Sequence, residues 1–130
     1  MFLNAVKTKL NLKNVEIIND RIENYSSSVR EKFDIVTCRA VTSIPMIIEM
    51  ATSLVKVNGL LAPLKSNCEE ELIKYSYLEK ELGIMLIEKK VYNLPINDAY
   101  RVIPVYKKDR ITDKKYPRSY NSLLKMYKNK

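Results

Sequence analysis

The run Phe33-Asp34-Ile35-Val36-Thr37 constrains the fold more than any other part of the chain. It is almost wholly apolar, too short for a helix, and followed two residues later by Arg39. Such a run suits a strand covered on both faces, as in a largely parallel sheet flanked by helices. Ligands of open α/β sheets collect beyond the carboxyl ends of the strands, so an arginine placed there can meet an anion. Taken alone, Arg39 is read more simply as a surface residue at a strand-to-helix turn. The surrounding elements give it a context.

Phe2, Leu3, Val6 and Leu10 share one helical face, and the pattern stops near residues 11–14. Val15 to Asn19 reads as a strand, and residues 23–31 as a polar loop with at most a helical turn. Ser43 can cap a helix whose first turn accommodates Pro45. Ile47, Met50, Ala51 and Leu54 form its buried stripe, and Asn58-Gly59 ends it, with Gly59 in the left-handed turn. Leu60 to Lys65 is a third strand. Asn67 and Glu70 then make a box-like cap, and Glu69, Glu70 and Glu71 suit the positive end of a helix dipole. That helix stops at Gly83. Residues 84–93 and 101–107 alternate as an antiparallel pair at one sheet edge, joined through Leu94-Pro95. This succession predicts a three-layer α/β sheet rather than a bundle or sandwich.

A length of 130 residues with 46% hydrophobic content suits one domain with a real core. The net charge of +8 is unevenly placed. The first hundred residues carry 13 Lys or Arg against 13 Asp or Glu, and the last thirty carry 10 against 2. A neutral body with a cationic end fits contact with a polyanion, where each neutralised phosphate releases counterions, and the chain divides into a partial domain over 1–108 and a basic tail over 109–130. There is no histidine, and Cys38 and Cys68 stand at no metal-ligand spacing, which argues against zinc chemistry and histidine-based acid catalysis. Lys7 and Lys9 interrupt what would be a signal core, and no apolar run approaches bilayer length, so the chain reads as cytoplasmic with no membrane partner.

Several blocks, in order, carry a family resemblance: Phe2-Leu3-Asn4, Arg21-Ile22-Glu23, Phe33-Asp34 through Arg39-Ala40-Val41, Leu64-Lys65, Arg101-Val102-Ile103 and Lys114-Lys115-Tyr116-Pro117-Arg118. The chain resembles the carboxyl-terminal part of the small-subunit rRNA methyltransferase G family, the glucose-inhibited division protein B family. The resemblance implies an α/β class I methyltransferase fold, Rossmann-like, with S-adenosylmethionine as cofactor and N7 of a guanine in 16S rRNA as acceptor. Guanine N7 carries an in-plane lone pair and no proton, so the chemistry needs desolvation and alignment rather than a base. No catalytic residue is assigned.

By the same resemblance Ile22 and Glu23 fall where the family contacts the adenine portion of the donor, Ile22 through its backbone. Arg39 falls at the donor-site arginine, and either orients the donor carboxylate or supports the pocket wall. Lys65 and Arg101 are expected on the RNA side, Lys65 holding phosphate. Lys114, Lys115 and Arg118 would contact phosphates around Tyr116, or else Tyr116 and Pro117 pin the tail to the domain.

Class I enzymes hold the donor with a glycine-rich turn after the first strand. The only glycines here are Gly59 and Gly83, neither suitably placed. The chain therefore reads as amino-terminally truncated, with open sheet edges and poor stability in isolation. Three functions follow from this: an rRNA methyltransferase impaired alone, one half of a split enzyme completed by an amino-terminal partner polypeptide, or a non-enzymatic RNA-binding module.

Overall fold

Four strands build one sheet: β1 (Phe33–Arg39), β2 (Val55–Leu64), β3 (Ile84–Asn93) and β4 (Tyr100–Lys108), ordered β1-β2-β4-β3. The structure, a computed structural model, describes residues 2–39 and 42–127. β1 and β2 are parallel, and β4 runs antiparallel to both β2 and β3. The carboxyl ends of β1, β2 and β3 thus point the same way. Parallel strands need a crossover, and the one between β1 and β2 contains α3 (Ile44–Ala51) and a 3₁₀ turn, Thr52–Leu54. This is the α/β arrangement predicted, with the antiparallel pair at one edge.

Helix α3 is buried along its whole length, with Ser43 at the N-cap and Pro45 in its first turn. The Ser43 side chain makes no capping bond. The Ile44 N–H donates instead to Glu71 Oε2 at 2.6 Å, which places a carboxylate at the positive end of the helix dipole. Glu71 lies on α4 (Glu69–Lys74), which a break at Tyr75-Ser76 separates from α5 (Tyr77–Leu82) where one helix was expected. Gly83 ends α5 at φ 74°, as predicted. Helix α3 ends at Ala51 and β2 already begins at Val55, so Asn58-Gly59 lies within the strand and does not end the helix, and the left-handed residue there is Asn58, φ 73°, and not Gly59. Gly59 is needed for a close approach: a Cβ there would lie 2.7 Å from the Asp34 carbonyl oxygen.

Three further expectations change. Residues 15–19 form no strand, and Val15 and Ile18 are 38% and 47% exposed. A strand exists through its ladder, and β1 is paired on the β2 side only. Residues expected as a polar loop instead form α2 (Ile22–Ser28), which buries Glu23 and Ser26 rather than an apolar stripe. The basic segment after β4 ends in α6 (Tyr120–Tyr127), with Leu123 fully buried. The spacing of Tyr120, Leu123, Leu124 and Tyr127 is the helical signal for it.

The sheet has one covered face. The cross-strand row Val36, Leu61, Tyr106, Leu86 packs into the core with Ile44, Ile48, Leu72, Leu78 and Leu82 of the helices. The neighbouring row, Ile35, Leu60, Lys107, Met85, faces the other way, and Ile35 and Met85 are 63% and 54% exposed. Among the described residues no helix covers this second face, so the expected third layer is missing. Short α1 (Phe2–Lys9) buries none of its residues and leaves Phe2 72% exposed.

Burial pushes the hydroxyl pKa values of Tyr106, Tyr116 and Tyr127 up from the ordinary value near 10. Above pH 10 the unfolded chain gives up tyrosine protons that the folded chain retains, so stability falls with rising pH. Burial pulls Lys108 the other way, which raises stability as pH approaches its ordinary value of 10.5. Three hydroxyls outweigh one ammonium, so a net loss between pH 10 and 11.5 is expected in urea unfolding followed by circular dichroism. Unchanged or rising stability over that interval would refute the balance.

Candidate functional site

The carboxyl ends of β1 and β2 and the β3–β4 hairpin enclose a cleft of about 600 Å³. Its cationic lining is Arg39, Lys65 and Arg101, joined by Thr42, Ser66, Asn67 and Tyr92. Three residues far apart in sequence are thus brought together where α/β sheets bind ligands. Arg39 is the last residue of β1 and is exposed. Lys65 continues β2 by a single antiparallel bridge to Val102, with N–H to carbonyl distances of 2.9 Å both ways. Its ammonium donates to the Thr42 carbonyl at 2.8 Å, which aims the side chain across the β1–α3 connection. Arg101 donates from Nη1 to the Tyr100 carbonyl at 2.8 Å.

Among the described residues no carboxylate lines the cleft. Among the described residues none of the three cations forms an ion pair. Cations gathered without a counter-charge create a positive potential that favours an anionic ligand. Ala40 and Val41, the rest of the Arg39 block, lie outside the described residues.

Ile22 and Glu23 do not line this cleft. They open α2, where Ile22 packs against the core and the Glu23 carboxylate, only 8% exposed, accepts from Arg21 Nε at 2.5 Å. Arg21 in turn lies 4.6 Å over the Tyr120 ring, tying α2 to α6. Lys114 and Lys115 are exposed in the turn after β4. Tyr116 is buried at 3% exposure, so the ring serves as the anchor that pins the segment. Arg118 is held inward. Its Nε donates to Glu49 Oε2 at 2.9 Å, Nη2 donates to Glu49 Oε1, and its backbone N–H reaches Oε2 at 3.2 Å. A phosphate would have to displace a fully buried carboxylate, and that geometry makes Arg118 a fastening residue.

Sequence reasoning missed two residues. Arg30 donates to the carbonyls of Thr112, Asp113 and Tyr116 at 3.2, 3.0 and 2.7 Å and so clamps the segment from the α2 side. Nothing in its polar surroundings marked it. Tyr92 faces Arg101 across the hairpin. Counting register back through the predicted 84–93 and 101–107 pair would have found it.

The fit to S-adenosylmethionine is partial. Arg39 is free to meet a carboxylate at the strand end, as the donor's amino-acid portion requires. A backbone cradle is not supplied by the glycines: Gly59 lies within β2 against Asp34, and Gly83 closes α5 against Arg110. No group of His, Cys, Asp and Glu suited to a metal ion occurs among the described residues. No helix there is long and apolar enough to cross a membrane.

Comparison with known proteins bears on the family and the fold. The chain is 36% identical over 124 residues to the Ribosomal RNA small subunit methyltransferase G of Fusobacterium nucleatum, covering 95% of this chain and 53% of that protein. It is 41% identical over 120 residues to the protein of the same name from Oceanobacillus iheyensis, covering 90% and 50%. The chain thus spans about half the length of these relatives. Among solved structures, an rRNA methylase from Streptococcus thermophilus superposes with a TM-score of 0.55 at 20% identity, over 82% of this chain and 65% of that one. M. jannaschii TYW2 in complex with AdoMet gives 0.61 at 13% identity, over 82% and 52%. These two likenesses show the class I methyltransferase fold. The family described as rRNA small subunit methyltransferase G matches residues 1–110, and the chain belongs to that family.

Proposed function

We propose that the chain is the carboxyl-terminal half of an S-adenosylmethionine-dependent methyltransferase that modifies N7 of a guanine in 16S rRNA. On this reading it does not complete the donor site alone. The observation that carries the proposal is the cleft itself: Arg39, Lys65 and Arg101 converge at the carboxyl edge of the sheet with no carboxylate among the lining residues. Bound donor would supply an electrophilic methyl group. The chain would supply position: Arg39 for an anionic end of the donor, and Lys65 and Arg101 for RNA phosphate. Lys114 and Lys115, exposed beside the buried Tyr116, would extend the phosphate track. Ile22 and Glu23 remain the proposed contacts for the adenine portion, at the start of α2.

The unpaired side of β1 and the uncovered sheet face favour completion by an amino-terminal polypeptide. Equilibrium dialysis with labelled S-adenosylmethionine, followed by transfer to 16S rRNA, tests this. The chain alone is expected to retain no donor and transfer no label. An added amino-terminal half, made from the Fusobacterium nucleatum relative, is expected to restore both. Transfer by the unaided chain would overturn the incompleteness. Salt-sensitive RNA binding with no donor retained, even after addition, would replace the enzyme reading with an RNA-binding module.

A further inference from the structure

The geometry points to a nucleotide site within the cleft: we infer that Tyr92 stacks the base of one RNA nucleotide while Arg101 and Lys65 hold its phosphate. The inference rests on the reading of the chain as an RNA-acting protein and adds the unit of RNA that the cleft accepts. Tyr92 and Arg101 are direct partners near the turn end of the β3–β4 hairpin, one pair before its closing Asn93–Tyr100 pair. In an antiparallel pair opposed residues project to the same face, with Cβ atoms about 5 Å apart. A ring and a guanidinium are therefore presented side by side, as a base and the phosphate one ribose away require.

The state of the ring supports the same reading. Tyr106, Tyr116 and Tyr127 are 2–6% exposed and belong to the core, whereas Tyr92 is 38% exposed and lines the cleft. Among the described residues its hydroxyl has no hydrogen-bond partner and its ring has no aromatic or cationic neighbour. Among the described residues no other aromatic side chain lines this cleft. Aromatic rings stack on any base, and a purine offers the larger face. Lys65 lines the same cleft, its ammonium on the Thr42 carbonyl at 2.8 Å, and adds a second cation to the positive field that draws the phosphate. The lack of a lining carboxylate removes competition for them.

The test is a titration of the whole chain by NMR with guanosine 5′-monophosphate, ribose 5-phosphate and a ten-nucleotide single-stranded RNA. The wild-type chain is expected to bind the nucleotide about tenfold more tightly than the sugar phosphate. Tyr92→Ala should abolish that difference, Tyr92→Phe should keep it, and Arg101→Ala should weaken both ligands. Tyr92 is half-exposed, so the melting temperature of each variant should match the wild type. Equal wild-type affinity for nucleotide and sugar phosphate would overturn the stacking site while leaving RNA binding intact. Failure to bind any of the three would overturn both this inference and the functional reading beneath it.

Discussion

Replacing Lys108 with methionine is expected to lower the unfolding free energy by about 1–3 kcal/mol, the cost of leaving buried acceptors without their donor. Lys108 closes β4 with its side chain wholly out of solvent. Its ammonium donates to the Thr52 carbonyl at 3.0 Å, the Val55 carbonyl at 2.7 Å and the Glu31 carboxylate. Methionine fills similar space with no donor, so the Val55 carbonyl loses the ammonium, the Thr52 carbonyl keeps only the Val55 N–H, and the Glu31 carboxylate turns to water. Unsatisfied buried acceptors cost about 1–3 kcal/mol each. The point is also a junction. Glu31 and Lys32 donate backbone N–H groups to Ser53 at 2.6 Å and Leu54 at 3.0 Å, so the entry to β1, the 3₁₀ turn and the end of β4 meet around one ammonium. Urea unfolding followed by circular dichroism measures the loss, with Lys107→Met, on the exposed face of the same strand, as the control expected within about 0.5 kcal/mol. A Lys108→Met chain as stable as the control would show that the ammonium holds nothing together.

The sequence discloses those elements whose signal is local. The apolar run at 33–37, Pro45 behind Ser43, and Gly83 at the end of an apolar helical stripe each specify their structure through short-range chemistry, and the strand β1, helix α3 and the stop of α5 follow. The signals that failed were those needing a partner. Val15 to Asn19 has strand-like composition yet no neighbour to pair with, and Ile35 is apolar yet uncovered. The α2 helix was hidden because it buries Glu23 and Ser26, polar residues that periodicity counts as solvent-facing.

The cleft was legible in its parts and not in its assembly. Arg39, Lys65 and Arg101 were each marked by a strand end or a short motif, but only the β1-β2-β4 order makes them neighbours. Charge alone does not disclose the surroundings of Arg118. A basic cluster in sequence cannot show that one member faces a carboxylate 69 residues away, because Glu49 sits in an otherwise apolar helix, where its burial is not foreseeable.

Arg118→Ala should therefore act as a stability mutation, with a loss of about 3–5 kcal/mol at neutral pH. Glu49 is fully buried on α3, and besides Arg118 its only described partner is the Tyr127 hydroxyl at 3.3 Å. Removing the guanidinium strands an ionised carboxylate in the core. Glu49→Gln is expected to lose less, because the Arg118 side chain left behind is 31% exposed and can turn to water. The double variant Glu49→Gln/Arg118→Ala should consequently be more stable than Arg118→Ala alone, a sign that two independent losses cannot produce. Urea unfolding of the four chains at neutral pH measures all of this. If Arg118 served RNA phosphate instead, Arg118→Ala would unfold with the wild type and lose only salt-dependent RNA affinity. The buried carboxylate beneath it makes the opposite result the expected one.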